Sequence, residues 1–223
     1  MKKLLELKHW QLFVLVFVGP TLIGTIYIFN FFRLIASANE YNYMAPDELF
    51  DQMFSGMSWM IGGSMLFTFI LYAWMWAIGH TLHPMLPRGV RMNLRLFKAS
   101  IIIMVVMSIV LVFLLQYYFQ FIIHTMEDID SGEGPPPGFF IIFLMFPIQI
   151  IMLICNVYCF WFCAKSIKTV EMQRETGIGD FLAEIFLMWF YIVGIWFLQP
   201  RLNRIVSNRP PPLPYDPVDH LIS

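Results

Sequence analysis

This chain is short of charge. Asp, Glu, Lys and Arg fill 13% of its 223 positions, against roughly 25% in a soluble globular domain, and a water-facing surface cannot be built from so few. Nothing charged falls within residues 10–29, 58–79, 99–123 or 139–163, which excludes the mid-membrane carboxylates that proton relays use. Cysteine is also scarce. Cys155, Cys159 and Cys163 share one apolar run, so they cannot staple an extracellular domain. A phosphate loop, a dinucleotide fingerprint, a G-x-S-x-G elbow and an H-E-x-x-H zinc motif are all missing. No cofactor is expected, and nucleic acid is not an expected partner.

What is present is apolar: 59% of the residues are hydrophobic and the mean hydropathy is +0.68. The four uncharged runs each reach the length of about 20 residues that a helix needs to cross hydrocarbon about 30 Å thick. This predicts an all-α polytopic membrane protein, with residues 1–209 as a single transmembrane helical domain and residues 210–223 as a Pro-rich, extended tail. The start, MKKLLELKHW, reads as a basic amphipathic lead into a retained signal-anchor helix, because the apolar run behind it exceeds the roughly 7–15 residues of a signal h-region. Gly19-Pro20 predicts a kink in that first span. Pro46-Asp47-Glu48 reads as the start of a short helix with acids in its first turn.

Lys and Arg accumulate on the cytoplasmic side of short loops. The N-terminus, residues 80–98 and residues 164–180 carry three, four and three bases, while the other two connections carry one and none. Four spans with the N-terminus cytoplasmic follow. Arg88, Arg91, Arg95 and Lys98 are spaced 3, 4 and 3, which places them on one face of a helix beginning near Pro87 and directs them at anionic lipid headgroups.

The segment at 181–199 is the hardest to place. Sixteen residues between Glu184 and Arg201 carry no charge, fewer than a comfortable span requires. A fifth span would put Arg201, Arg204 and Arg209 outside, whereas a re-entrant or interfacial hairpin turning near Gly194 keeps them inside. Its limbs would bring Asp180 and Glu184 together with Arg201 and Arg204. The competing reading is a short, tilted fifth span. Arg201 could hold a lipid phosphate bidentately or cap the carbonyls of the upper limb.

The run from Trp189 through Gly194, Trp196, Gln199, Pro200 and Arg201 to Asn203 resembles the C-terminal signature of small, uncharacterised bacterial inner-membrane proteins, W-x4-G-I-W-x2-Q-P-R-x-N. Residues 164–171 resemble the stretch that leads into it. Where that family often has Pro shortly before the glycine, this chain has Ile192 and Val193. The resemblance covers about the last quarter of the chain. It implies a bacterial cytoplasmic membrane and a four-to-five-span fold, and no activity.

Each remaining candidate has two readings. Cys155, Cys159 and Cys163 lie four apart on one helix face, which suits a soft metal such as Cu(I) or close helix packing by small residues. His80 and His83 could hold Zn²⁺ with a third ligand or simply sit at the interface. Gln116, Gln120 and Asn156 are the notable polar groups at depth, where interhelical hydrogen bonding explains them. The function expected is a non-catalytic membrane subunit or scaffold that binds another membrane protein or itself. A small homo-oligomeric transporter or channel is the alternative, and a lipid-acting enzyme at the cytoplasmic face, using His80 and His83, comes third.

Overall fold

In the computed structural model, residues 2–41, 46–87, 89–127 and 139–207 are described, and the described chain is helical almost throughout. Two short helices, α1 (Lys2–Glu6) and α2 (His9–Phe13), lead through a π-helical turn at Val14–Val18 into α3 (Gly19–Tyr41). Three long helices follow, α4 (Pro46–Leu82), α5 (Leu94–Glu127) and α6 (Phe139–Met172), and the chain closes with α7 (Ile178–Trp189) and α8 (Tyr191–Ser207). Four stretches are long and apolar enough to cross a membrane: His9–Ala36, Met60–Met85, Leu94–Phe121 and Phe143–Met172. The protein is therefore an all-α, multi-pass membrane protein. The turn-rich loop expected at residues 131–138 and the Pro-rich tail at 210–223 lie outside the described residues.

The Gly19-Pro20 irregularity takes the form of a π turn. Proline lacks the N–H that would bond the Val16 carbonyl and its ring crowds that turn, and a π bulge widens the helix just before it. The Thr21 hydroxyl donates to the Phe17 carbonyl at 2.7 Å. Pro46 does start a helix, but one that runs unbroken for 37 residues to Leu82. A separate short helix is not formed, because no proline follows Pro46 before Ser58-Trp59-Met60 and the ladder continues through Gly56.

The basic helix expected from Pro87 is also corrected. Gly89 has φ +106°, in the left-handed region where glycine is favoured, and residues 90–93 are not helical. Helix α5 starts instead at Leu94, where the Asn93 side chain accepts from the Leu96 N–H at 3.1 Å, the standard chemistry of a helix N-cap.

Helices α4, α5 and α6 pack on one another, with α3 against α4, and α7 against α6. The core gathers at the end where α4 finishes, α5 begins and α6 finishes. Tyr72 to Leu82, Phe97 to Met104 and Cys159 to Val170 supply most of its buried apolar side chains. Phe97 and Phe162 stack with ring centroids 4.3 Å apart. The bare backbone of Gly79 admits Phe97, whose ring occupies the place a Cβ would take. The lead helices belong to this core too: Leu5 and Leu12 are fully buried, and α1 and α2 rest on α8. The lead is amphipathic: its leucines find an apolar seat between α4 and α8, while Lys8 stays exposed.

Candidate functional site

Two polar clusters occupy the packed end, both built on α8. The first centres on Gln199, which is completely buried. Its amide nitrogen donates to the carbonyls of Leu5 at 2.9 Å, Leu7 at 3.0 Å and Leu4 at 3.4 Å, and its oxygen accepts from the Trp74 indole N–H at 2.9 Å. A helix as short as α1 leaves its last carbonyls unpaired. Gln199 satisfies them from 194 residues away in sequence. Asn203, one turn on, donates to the Leu7 carbonyl at 3.3 Å, while its own side-chain oxygen is buried without a partner among the described residues.

The second cluster is ionic. The Arg201 guanidinium meets Glu171 of α6 as a fork, with Nε to Oε1 at 2.8 Å and Nη2 against Oε2. The same Nη2 reaches Glu184 Oε1 of α7 at 2.9 Å, and Lys168 Nζ lies 3.4 Å from that oxygen. Glu184 is 2% exposed. Burial pushes its carboxyl up, but the Arg201 hydrogen bond, together with the Lys168 and Arg201 charges, outweighs burial and holds it below the ordinary carboxylate value. The Glu171 hydrogen bond raises Arg201, against its own burial, and Glu184 adds to the rise. Glu184 Oε2 is buried with no partner among the described residues.

This arrangement corrects several expectations. Of the acids and bases foreseen together, Glu184 and Arg201 meet. Asp180 instead accepts from the Gly177 N–H at 3.0 Å and faces Arg174 at 3.8 Å, and Arg204 is exposed. The Arg201 fork is taken by a carboxylate, so it neither caps a limb nor stands free for phosphate. Helix α6 ends at Met172, with Gln173 at φ 51°, and Glu175 turns to Lys165 at 3.8 Å.

The break between α7 and α8 falls at Phe190, four residues before Gly194. Phe190 both ends α7, through its N–H to the Phe186 carbonyl at 2.9 Å, and opens α8, accepting from the Gly194 N–H at 2.8 Å. Gly194 serves the close approach rather than the turn: a Cβ there would strike the Leu187 carbonyl. Pro200 lies within α8 and is exposed. Trp196 sits 4.8 Å from the His9 ring and 5.4 Å from Phe13, tying α8 to α2. Trp189 meets Phe160 edge-on at 6.1 Å.

The metal candidates are not gathered. Among the described residues no three His, Cys, Asp or Glu side chains come together as a metal site. Cys163 is buried with its thiol 3.7 Å from the Met75 carbonyl, Cys159 is buried beside it, and Cys155 is half-buried. Their spacing seats α6 on α4. His83 Nε2 lies 3.3 Å from the Met92 carbonyl, closing the connection between α4 and α5, and His80 is exposed. Of the four bases predicted at headgroups, Arg91 and Arg95 are exposed and Lys98 lies over the Trp76 ring at 5.8 Å, while Arg88 lies outside the described residues.

The partners that sequence reasoning missed are Trp74, Lys168, Glu171 and the α1 carbonyls. Lys168 and Glu171 stand three apart, so their common helix face was legible. Nothing in the sequence pairs that face with α8. Comparison with protein-family models, with curated proteins and with solved structures finds no match for the chain.

Proposed function

We propose that the chain is a non-catalytic integral membrane subunit or scaffold that associates with another membrane protein. The observation that carries this reading lies on α5. Gln116 and Gln120, one turn apart, line a hollow of about 510 Å³ with Val110, Phe113, Leu114 and Tyr117. Neither carboxamide has a side-chain hydrogen bond among the described residues. Carboxamides on an otherwise apolar span are satisfied by another helix, and the flanking Phe113 and Tyr117, 67% and 61% exposed, offer it a surface.

The test is mass analysis of the tagged full chain extracted gently in native lipid. Recovery at fixed ratio with a larger membrane protein, lost in Gln116→Leu/Gln120→Leu, supports the reading, and a clean monomer sinks it. The same hollow could seat a second copy. A complex of this chain alone would favour a homo-oligomeric transporter or channel, and ion flux in liposomes would then be measured.

For the placement, we infer a bacterial cytoplasmic membrane with the N-terminus inside, and α7 with α8 as a re-entrant hairpin. The bacterial setting rests on the resemblance of residues 189–203 to the small inner-membrane proteins described above. The hairpin is supported by length, since 12 and 17 residues rise only about 18 Å and about 26 Å. It is supported too by Arg201 returning to Glu171 at the end of α6. A reporter fused after Ser223 that is active only outside the membrane would overturn it.

A further inference from the structure

We propose that the groove between α4 and α5 binds one acyl chain of an anionic phospholipid, with Lys98 at its mouth holding the headgroup. The groove has a volume of about 390 Å³ and an apolar lining, within the range of ligand-sized sites. Ala73 and Ala77, one turn apart on α4, hollow it out beside Trp76, and Ile101 and Val105 form the α5 wall, with Leu4 of α1 at one end. From Ala77 to Phe69 the trough follows α4 for about 12 Å along the helix axis. The Tyr72 hydroxyl, the one polar group on the α4 wall besides the indole, is engaged with Ser108 at 3.4 Å.

Charge identifies the occupant. Lys165, Lys168, Arg174 and Arg201 each face a carboxylate. Among the described residues Arg91, Arg95 and Lys98 face none. Lys98 stands over Trp76, a wall residue, at 5.8 Å, so an unneutralised ammonium sits directly beside an apolar trough. A packed apolar helix would fill the trough but leave that charge unanswered. A phospholipid answers both, its chain in the trough and its phosphate at the cation. The inference rests only on α4 and α5 lying in a bilayer, and it is independent of the subunit reading.

The experiment is native mass spectrometry of the full chain in detergent, titrated with an equimolar mixture of phosphatidylglycerol and phosphatidylcholine. Wild type is expected to retain phosphatidylglycerol preferentially. Lys98→Gln should lower that retention about fivefold with phosphatidylcholine unchanged, whereas Arg204→Gln, at an exposed base away from the groove, should change nothing. Ala73→Phe, which fills the trough, should reduce retention of both lipids at an unchanged melting temperature. Should that variant unfold, Val106→Phe fills the trough from the opposite wall. An unaltered lipid ratio in Lys98→Gln, or full retention in a folded filled-groove variant, overturns the proposal. So does an efficient crosslink between copies carrying Ala73→Cys, which would put a second chain in the groove.

Discussion

The two ends of the same helices are built on different terms. At one end α4, α5 and α6 close around Trp74, Phe97, Phe162 and Cys163, and α1, α7 and α8 cover them with a buried amide and an ionic cluster. Further along, the same helices present apolar side chains outward: Phe143 of α6 is 71% exposed, and Leu66 of α4, Phe113 of α5 and Phe146 and Ile154 of α6 are also well exposed. An apolar side chain surrounded by lipid gains no hydrophobic stabilisation by moving into protein, so the hydrophobic effect does not draw those portions together. Polar groups have the opposite incentive, because each unpaired one in a low-dielectric setting is costly. The end with buried polar groups is accordingly the end that is tightly determined.

That contrast can be broken or sharpened by substitution, with unfolding in detergent as the common measurement. Arg201→Met should have the largest effect, since it leaves Glu184 buried with only Lys168 beside it. A loss of about 3–5 kcal/mol is expected, and the double change Arg201→Met/Glu184→Met should recover a large part of it. Retention of wild-type stability in the single variant would remove the ionic cluster from the account. Gln199→Leu comes next, at about 2–3 kcal/mol, because the Trp74 N–H and the α1 carbonyls lose their partner at once. Amide exchange in α1 and α2 should rise in that variant.

Gly194→Ala should cost about 1–3 kcal/mol by forcing α8 off the Leu187 carbonyl. The pH dependence is smaller. Glu184 has a folded pKa below its unfolded value, so its contribution is complete above the ordinary glutamate value of about 4.3 and drains away as pH falls through the lower, folded one. Wild type should lose stability below about pH 4.3 more steeply than Glu184→Gln. Equal slopes would mean that the carboxylate is not preferentially ionised in the fold. The smallest effect belongs to the outward-facing portion, where Phe146→Ala should shift stability by no more than about 0.5 kcal/mol.

The candidate site was legible in pieces. Glu184 and Arg201 were foreseen as neighbours because a hairpin of the right length brings position 184 level with 201. Asp180 was misplaced because one turn nearer the helix start its carboxylate has a local rival, the Gly177 N–H, three residues away. Gly194 was read as a turn residue, yet its missing Cβ is used for close approach of two backbones. Both uses leave the same mark in a sequence. The bases up to Lys98 carried a helical spacing that residues 90–93 do not follow and the chain takes up only from Leu94, since one glycine at positive φ outweighs a pattern of charges.

The sequence by itself determined the class, the positions of the four long apolar helices and the basic ends that flank them. These depend on composition along the chain, and hydrocarbon thickness converts run length directly into a span. Tertiary structure alone decided that Gln199 would close the carbonyls of α1, that Glu171 would capture Arg201, and that alanines on α4 would open a trough beside Lys98. Each of those pairs residues brought together by helix packing, and the geometry of a contact between helices is written in neither helix alone.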